Sequence, residues 1–282
     1  ASVYVQRAEV FEGRGDGPSA IVDYGKALEN LADGDTDTAL RTDLFTRRGA
    51  AHQAEGDLEA AIADYTSATE SSAGGVESLR AHVLRGRAYQ QLGKLRAAVQ
   101  DYDQAVELDP RDPSVFCDRA RANRDLGYLE KAIADYGSAL ALDPSNAAGY
   151  AERASTYEMQ GEPAAALADY DHAAALFLGG ARQGDVDWGN LFRQRGAVLQ
   201  ALGKLELAIE SYDQALVLVP ADVESLRERG ITHIEIGDAQ SGVADLDRAI
   251  GLGCHDAEAF LRRGIGHTAL GDAQSAIADF TK

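Results

Sequence analysis

Residues 84–110 read LRGRAYQQLGKLRAAVQDYDQAVELDP, and residues 118–144 read DRARANRDLGYLEKAIADYGSALALDP. The two stretches align without a gap, 34 residues apart. A third copy, LFRQRGAVLQALGKLELAIESYDQALVLVP, ends at Pro220. Self-similarity at a fixed period marks a stacked-repeat architecture, so the period decides the fold before any single residue does. The turn glycines that anchor the copies are Gly15, Gly56, Gly93, Gly127, Gly161, Gly203, Gly237 and Gly271. The units then begin at 1, 42, 79, 113, 147, 189, 223 and 257, and the eight fill the 282 residues as one predicted domain. Linkers near 30–41, 69–78 and 177–188 exceed the period.

Each unit predicts two helices. The first carries a large residue at unit position 4 (Tyr4, Phe45, Phe116, Tyr150) and Ala or Gly at position 8 (Ala8, Gly49, Ala120, Ala154). That i, i+4 spacing puts both on one face, and the small residue lets a second helix approach closely. Glycine at position 15 ends the first helix, because only glycine adopts a left-handed cap at little cost. The second helix has Ala or Gly at position 20, a large residue at 24 (Tyr24, Tyr65, Tyr102, Leu246, Phe280) and Ala at 27; Pro110, Pro144 and Pro220 stop it at position 32. One such hairpin cannot bury its own apolar face, so its stability must come from stacked neighbours.

This small–large–small pattern over 34 residues resembles the tetratricopeptide repeat, and the resemblance covers essentially the whole chain. It implies an all-α fold, a right-handed superhelical solenoid of antiparallel helix pairs, with first helices lining a concave face. It also implies binding of proteins or peptides without catalysis by the repeats. Family members that hold chaperone C-termini use Lys at position 5 and Asn at 9; here position 5 is never Lys and position 9 is never Asn. That clamp is incomplete, so chaperone tails are not the expected ligand.

Position 7, usually aliphatic in the family, is Arg in all eight units, from Arg7 to Arg263. Position 23 is Asp in seven, with Ser211 the exception. In an antiparallel hairpin turning near position 15, positions summing to about 30 lie opposite one another, which predicts an Arg–Asp ladder between the two helices. In the enlarged linkers, Leu31, Leu40, Phe177 and Leu178 are expected to extend the preceding helix, and Trp188 is a candidate partner contact. The last unit stops at position 26 and the chain opens without Met, which suggests a fragment. A bare solenoid end exposes apolar surface, so further chain or head-to-tail self-association through uncapped ends is expected.

The balance of 46 acidic against 27 basic residues, net −19, argues against nucleic acid and anionic membrane as partners. No apolar run reaches membrane-spanning length, so no membrane insertion is expected. Cys117 and Cys254 fit neither a zinc site nor a disulfide framework, and reduced thiols suggest a cytoplasmic location. Of six histidines, three sit at position 11 and one at position 4, both packing sites in the repeat. No HxxxH, GxxxxGK[ST] or GxSxG motif occurs in a suitable context, so neither metal, cofactor nor catalytic centre is expected.

Function is then read from positions 2, 5, 6, 9, 12 and 13, which the family exposes on its inner face. In units two to four these supply Arg47, Arg80, Arg87, Gln90, Arg121 and Arg124, a basic cluster in an acidic chain. Guanidinium forks suit carboxylates, so an acidic ligand is expected in this central groove. Its rival is self-neutralisation by Asp43, Asp118 and Asp125. Units seven and eight place Ile231, Ile234, Leu261 and Ile265 on the same face, flanked by Glu224, Glu228, Glu235 and Glu258; that patch suits an apolar segment with basic flanks. The sequence therefore reads as a non-catalytic protein–protein interaction scaffold within a multiprotein complex. The alternatives are a recruiting arm of an enzyme whose catalytic domain lies elsewhere, and a self-assembling structural solenoid.

Overall fold

A computed structural model describes residues 2–31, 38–71, 74–180 and 186–282. Among the described residues there are sixteen α-helices and no strand. They fall into two compact units, Ala1–Pro144 and Ser145–Lys282.

The first unit contains α1 (Ser2–Gly13), α2 (Gly17–Glu29), α3 (Thr38–Ala54), α4 (Leu58–Ser71), α5 (Val76–Gln91), α6 (Leu95–Leu108), α7 (Pro113–Asp125) and α8 (Leu129–Leu142). Each odd helix packs on the even helix that follows it, and α3, α5 and α7 also touch in sequence. The second unit repeats the scheme with α9 (Ala147–Gln160), α10 (Pro163–Leu178), α11 (Trp188–Ala201), α12 (Leu205–Leu218), α13 (Val223–Glu235), α14 (Ala239–Gly251), α15 (Ala257–Ala269) and α16 (Ala273–Phe280).

The turn inside each pair follows the expected chemistry. All eight anchor glycines have positive φ, between 71° and 89°, where a side chain would strain the backbone. Asp16, Asp238 and Asp272 then cap the second helix by accepting from the backbone N–H of Ser19, Ser241 and Ser275. At the far end, Asp109, Asp143 and Val219 precede the position-32 prolines with φ of −139°, −130° and −130°; the proline ring forbids the helical conformation to the residue before it.

The core is a column of small residues and rings. Ala20, Tyr24 and Ala27, and their counterparts Ala98, Tyr102 and Ala105, are fully buried. Position 8 must be small because the ring at position 24 lies on it: a Cβ added to Gly86 would come within 2.7 Å of the Tyr102 ring.

The ladder is present in every repeat that carries both partners. Arg48, Arg85, Arg119, Arg153, Arg229 and Arg263 each donate two bonds, from Nε and Nη2, to the position-23 aspartate opposite, at 2.5–2.9 Å. Arg7 does the same to Asp23. Several arginines also reach back to the preceding repeat through Nη1: Arg119 to Asp103, Arg229 to Asp213, Arg263 to Asp247, and Arg85 to Thr66 and Thr69. One guanidinium thus joins three helices. In the sixth repeat Ser211 replaces the aspartate, and Arg195 turns, giving Nη1 to Ser211 Oγ and Nε to Asp171 of the repeat before.

The enlarged linkers differ from expectation in part; residues 32–37, 72–73 and 181–185 within them lie outside the described residues. Phe177 and Leu178 do lengthen α10, but Leu40 belongs to the following helix, α3, and Leu31 ends in the core outside any helix. The cause is burial: Leu31 and Leu40 both pack with Leu44 and Tyr24. Trp188 is likewise a core residue and no surface contact, with its ring 4.9 Å from Phe177, which also meets Phe192 edge-on.

Candidate functional site

The first-helix face of repeats two to four is built from α3, α5 and α7. The structure brings Arg87, Gln90 and Arg121 together with Gln53, Gln91 and Asp118 around a groove of about 470 Å³. Every lining residue is polar. At its centre Asp118 receives Arg87 on one carboxylate oxygen and Arg121 on the other, each at 2.7 Å. Asp118 is buried, whereas the Arg87 side chain keeps 45% of its surface exposed. Two guanidinium groups thus share one carboxylate.

The other predicted arginines stand apart from it. Arg47 lies between Asp43 on its own helix and Glu9 of the preceding repeat, at 2.7 and 3.0 Å. Arg80 approaches Asp43 at 3.9 Å, and Arg124 pairs with its neighbour Asp125 at 3.3 Å. These three are balanced by carboxylates on the same face.

The buried tyrosines reach this face, which the sequence alone did not reveal. The hydroxyl of Tyr65 donates to Gln53 Oε1 at 2.9 Å, and that of Tyr102 to Gln90 Oε1 at 3.1 Å. Burial pushes both phenols up, so each keeps its proton. Gln53 in turn donates through Nε2 to Gln91 Oε1 at 3.0 Å. The signal was available: position 12 is polar (Glu12, Gln53, Gln90, Glu158, Gln200) where position 24 is Tyr, and aliphatic (Ile234) where it is Leu246.

In the second unit the aliphatic patch is narrower than expected. Ile231 is 3% exposed, packed with Leu216, Leu226, Leu246 and Ala259, and Ile234 is half-buried against the same cluster. An aliphatic side chain at position 9 folds into the seam between α13 and α15, where a longer polar one would reach out. Leu261 and Ile265 remain 50% and 41% exposed. Around them Arg227 contacts Glu224, Glu228 and Asp256, and Arg262 contacts Glu258 and Glu235. Burial raises the Glu228 carboxyl above the ordinary range, with Arg227 opposing and Glu224 and Glu258 adding to the rise.

Among the described residues no group of three or more His, Cys, Asp and Glu is placed to hold a metal, and no helix is long and apolar enough to cross a membrane. Cys117 and Cys254 are buried and neither forms a disulfide.

Antiparallel helix pairs of fixed period, docked through small residues, define a helical-repeat protein. The chain contains tetratricopeptide repeats. Family models described as TPR repeat match residues 86–124 and 120–161, and one described as tetratricopeptide repeat matches 193–253. No curated protein matches the chain. Among solved structures, the C-terminal part of a TPR repeat-containing protein from Cytophaga hutchinsonii superposes with a TM-score of 0.71 at 14% identity, over 90% of this chain and 97% of that one. YrrB, described as a TPR protein with an unusual peptide-binding site, superposes with a TM-score of 0.56 at 22% identity, over 63% of this chain and 88% of its own. A tetratricopeptide repeat protein from Parabacteroides merdae gives 0.61 at 17% identity, over 86% and 91%. At these identities the likeness is one of fold. Arrays of this family are in general protein-interaction scaffolds.

Proposed function

We propose that the chain is a non-catalytic scaffold that holds a segment of a partner protein against the first-helix face of repeats two to four, within a multiprotein complex. The observation that carries this reading is the Arg87–Asp118–Arg121 cluster over the groove lined by Gln53, Gln90 and Gln91. The half-exposed Arg87 guanidinium, in a chain of net charge −19, favours a carboxylate-bearing ligand there and disfavours a broad polyanion. YrrB supports the choice of a peptide as ligand by its description alone.

The test is binding of synthetic acidic dodecapeptides to the chain and to Arg87→Glu/Arg121→Glu, with circular dichroism confirming equal helix content. Loss of binding in the charge-reversed protein is the expected result; unchanged binding removes the groove from consideration. A second reading rests on the exposure of Leu261 and Ile265 between Glu224, Glu228 and Glu258. It places an apolar segment with basic flanks on repeats seven and eight, and Leu261→Asp/Ile265→Asp tests it by the same assay.

A further inference from the structure

On the second-helix side of repeats five and six lies a recess of about 440 Å³, walled by α10 and α12 with Phe192 and Arg195 of α11 between them. Three departures from the repeat meet there. Position 28 is Thr or a larger aliphatic residue in every other complete repeat (Leu28, Thr69, Val106, Leu140, Leu216, Ile250) and Ala174 here, whose short side chain leaves the space unfilled. Position 32, where Pro110, Pro144 and Pro220 stop the second helix, is Leu178, the last residue of α10. Position 23 is Ser211, and Arg195 accordingly gives its Nε to Asp171 in the recess wall. The other repeats stack without any of these changes, so stacking does not call for them.

The walls are chemically divided along the helices. On α10 the lining runs from Asp171 through Ala174 and Ala175 to Leu178, at i, i+3, i+4 and i+7, which is one face of a helix. On α12 it runs from Glu210 through Asp213 and Gln214, and Val217 follows on the same face. Carboxylates thus come first on both helices and aliphatic residues last, with Leu178 and Val217 each 73% exposed. Asp171 and Asp213 each accept one arginine bond through Oδ1, at 2.7 and 2.6 Å, which leaves Oδ2 of both unbonded among the described residues. Glu210 is exposed and has no ion-pair partner among them. Carboxylates only accept, so this end calls for a positively charged donor. Arg195, the one cation in the lining, is already held by Asp171 and Ser211. An arginine or lysine side chain meets both halves, its methylene stem on Ala174 and Ala175 and its head at the carboxylates. A small free amine would leave Leu178 and Val217 uncovered, whereas a protein segment with an apolar residue beside the basic one covers them.

We propose that this recess docks a basic segment of a partner protein, in which an arginine or lysine enters between Asp171 and Glu210 and an adjacent apolar residue lies against Leu178 and Val217. The site is independent of the groove on repeats two to four, whose proposed ligand is acidic.

The probe is a fluorescein-labelled dodecapeptide with two Leu-Arg pairs between Gly-Ser spacers, beside a counterpart with citrulline for arginine, which keeps the stem and removes the charge. Fluorescence anisotropy reads binding to the whole chain, Ala175→Trp, Glu210→Gln, Glu130→Gln and Leu261→Asp/Ile265→Asp. Ala175, Glu210 and Glu130 are exposed, so their substitution spares the core, and circular dichroism checks it. Filling the recess with Ala175→Trp is expected to weaken binding about tenfold, and Glu210→Gln about fivefold, the worth of one exposed ion pair. Glu130→Gln, on the second helix of repeat four, is expected to change nothing, and the citrulline peptide to bind no variant. Unchanged binding in both Ala175→Trp and Glu210→Gln overturns the inference. So does equal weakening by Glu130→Gln, which would make the attraction a general one of charge, and so does equal binding of the citrulline peptide or no binding of the arginine one. Loss in Leu261→Asp/Ile265→Asp alone moves the peptide to repeats seven and eight, which overturns this inference and upholds the second reading above. Light scattering that shows a dimer of the unaltered chain and a monomer of Ala175→Trp makes a second copy the occupant and overturns it as well.

Discussion

At the scale of single residues, the ladder makes position 7 the most consequential arginine of each repeat. Removing Arg119 leaves Asp135 buried with only a 3.3 Å contact from Asn123. Breaking a largely buried ion pair by deleting one partner costs about 3 kcal/mol or more. Arg119→Ala is therefore expected to lower the thermal midpoint clearly, in a calorimetric scan at neutral pH, and an unchanged midpoint would deny the ladder any structural role. Ser211→Asp runs the opposite way: it restores the missing rung, gives Arg195 the forked partner its counterparts have, and should raise the midpoint by the equivalent of about 1 kcal/mol. These rungs were legible in the sequence because the turn glycine sets the register between two helices of one hairpin. The neutralising partners on the ligand face were less so. Arg87 meets Asp118 across 31 residues, a distance set by how neighbouring repeats stack and by no local period. Ile231 misled for the same reason, since the cluster that buries it includes Leu216 of the repeat before and Ala259 of the next.

At the scale of helices and hairpins, closeness of approach is what the small residues secure. Three repeats carry Ala at position 8 against the same tyrosine (Ala8 with Tyr24, Ala120 with Tyr136, Ala154 with Tyr170), all buried. Gly86→Ala is thus expected to lie within about 1 kcal/mol of the parent, the crowding against Tyr102 being offset by better helix propensity. Gly86→Val has no such precedent. Overpacking of this kind costs about 1–3 kcal/mol, so urea unfolding should separate the two variants by a clear difference in midpoint. Helix number, pairing and ends could be read from caps, turn glycines and prolines. The enlarged linkers could not, because an added apolar residue has two helices to join, and packing rather than propensity chose α3 for Leu40.

Over the whole molecule, charge governs the response to solution conditions. Burial raises the carboxyls of Glu158 and Glu228, the Tyr170 hydroxyl and Arg227 respectively opposing it. For these groups the folded state binds its proton more tightly than the unfolded one, so stability rises as pH falls through their raised values. For Asp101, burial pushes the carboxyl up, but the bonds from Arg85 and His82 outweigh it and hold it low; bonds from Ser241 and Ser275 lower Asp238 and Asp272. Their contribution is complete above the ordinary aspartate range and is lost as pH drops below about 4. Easing of the −19 net charge adds to the first trend. The thermal midpoint is expected to pass through a maximum at mildly acidic pH, and salt should raise it at pH 8. A flat profile from pH 8 to 5 would contradict both.

The arginines that hold two repeats at once also bear on how such a chain changes length. Arg229 reaches Asp213 of the repeat before it, and Arg263 reaches Asp247 of its own predecessor. Both aspartates occupy the same place in their units. Excising residues 223–256 as a block would bring Arg263 against Asp213, a partner indistinguishable from the one it left. This contact is therefore interchangeable between modules, and unequal crossing-over between repeats at the DNA level would preserve it in shorter or longer arrays. A change in copy number leaves this rung intact without any substitution at Arg263 or Asp213.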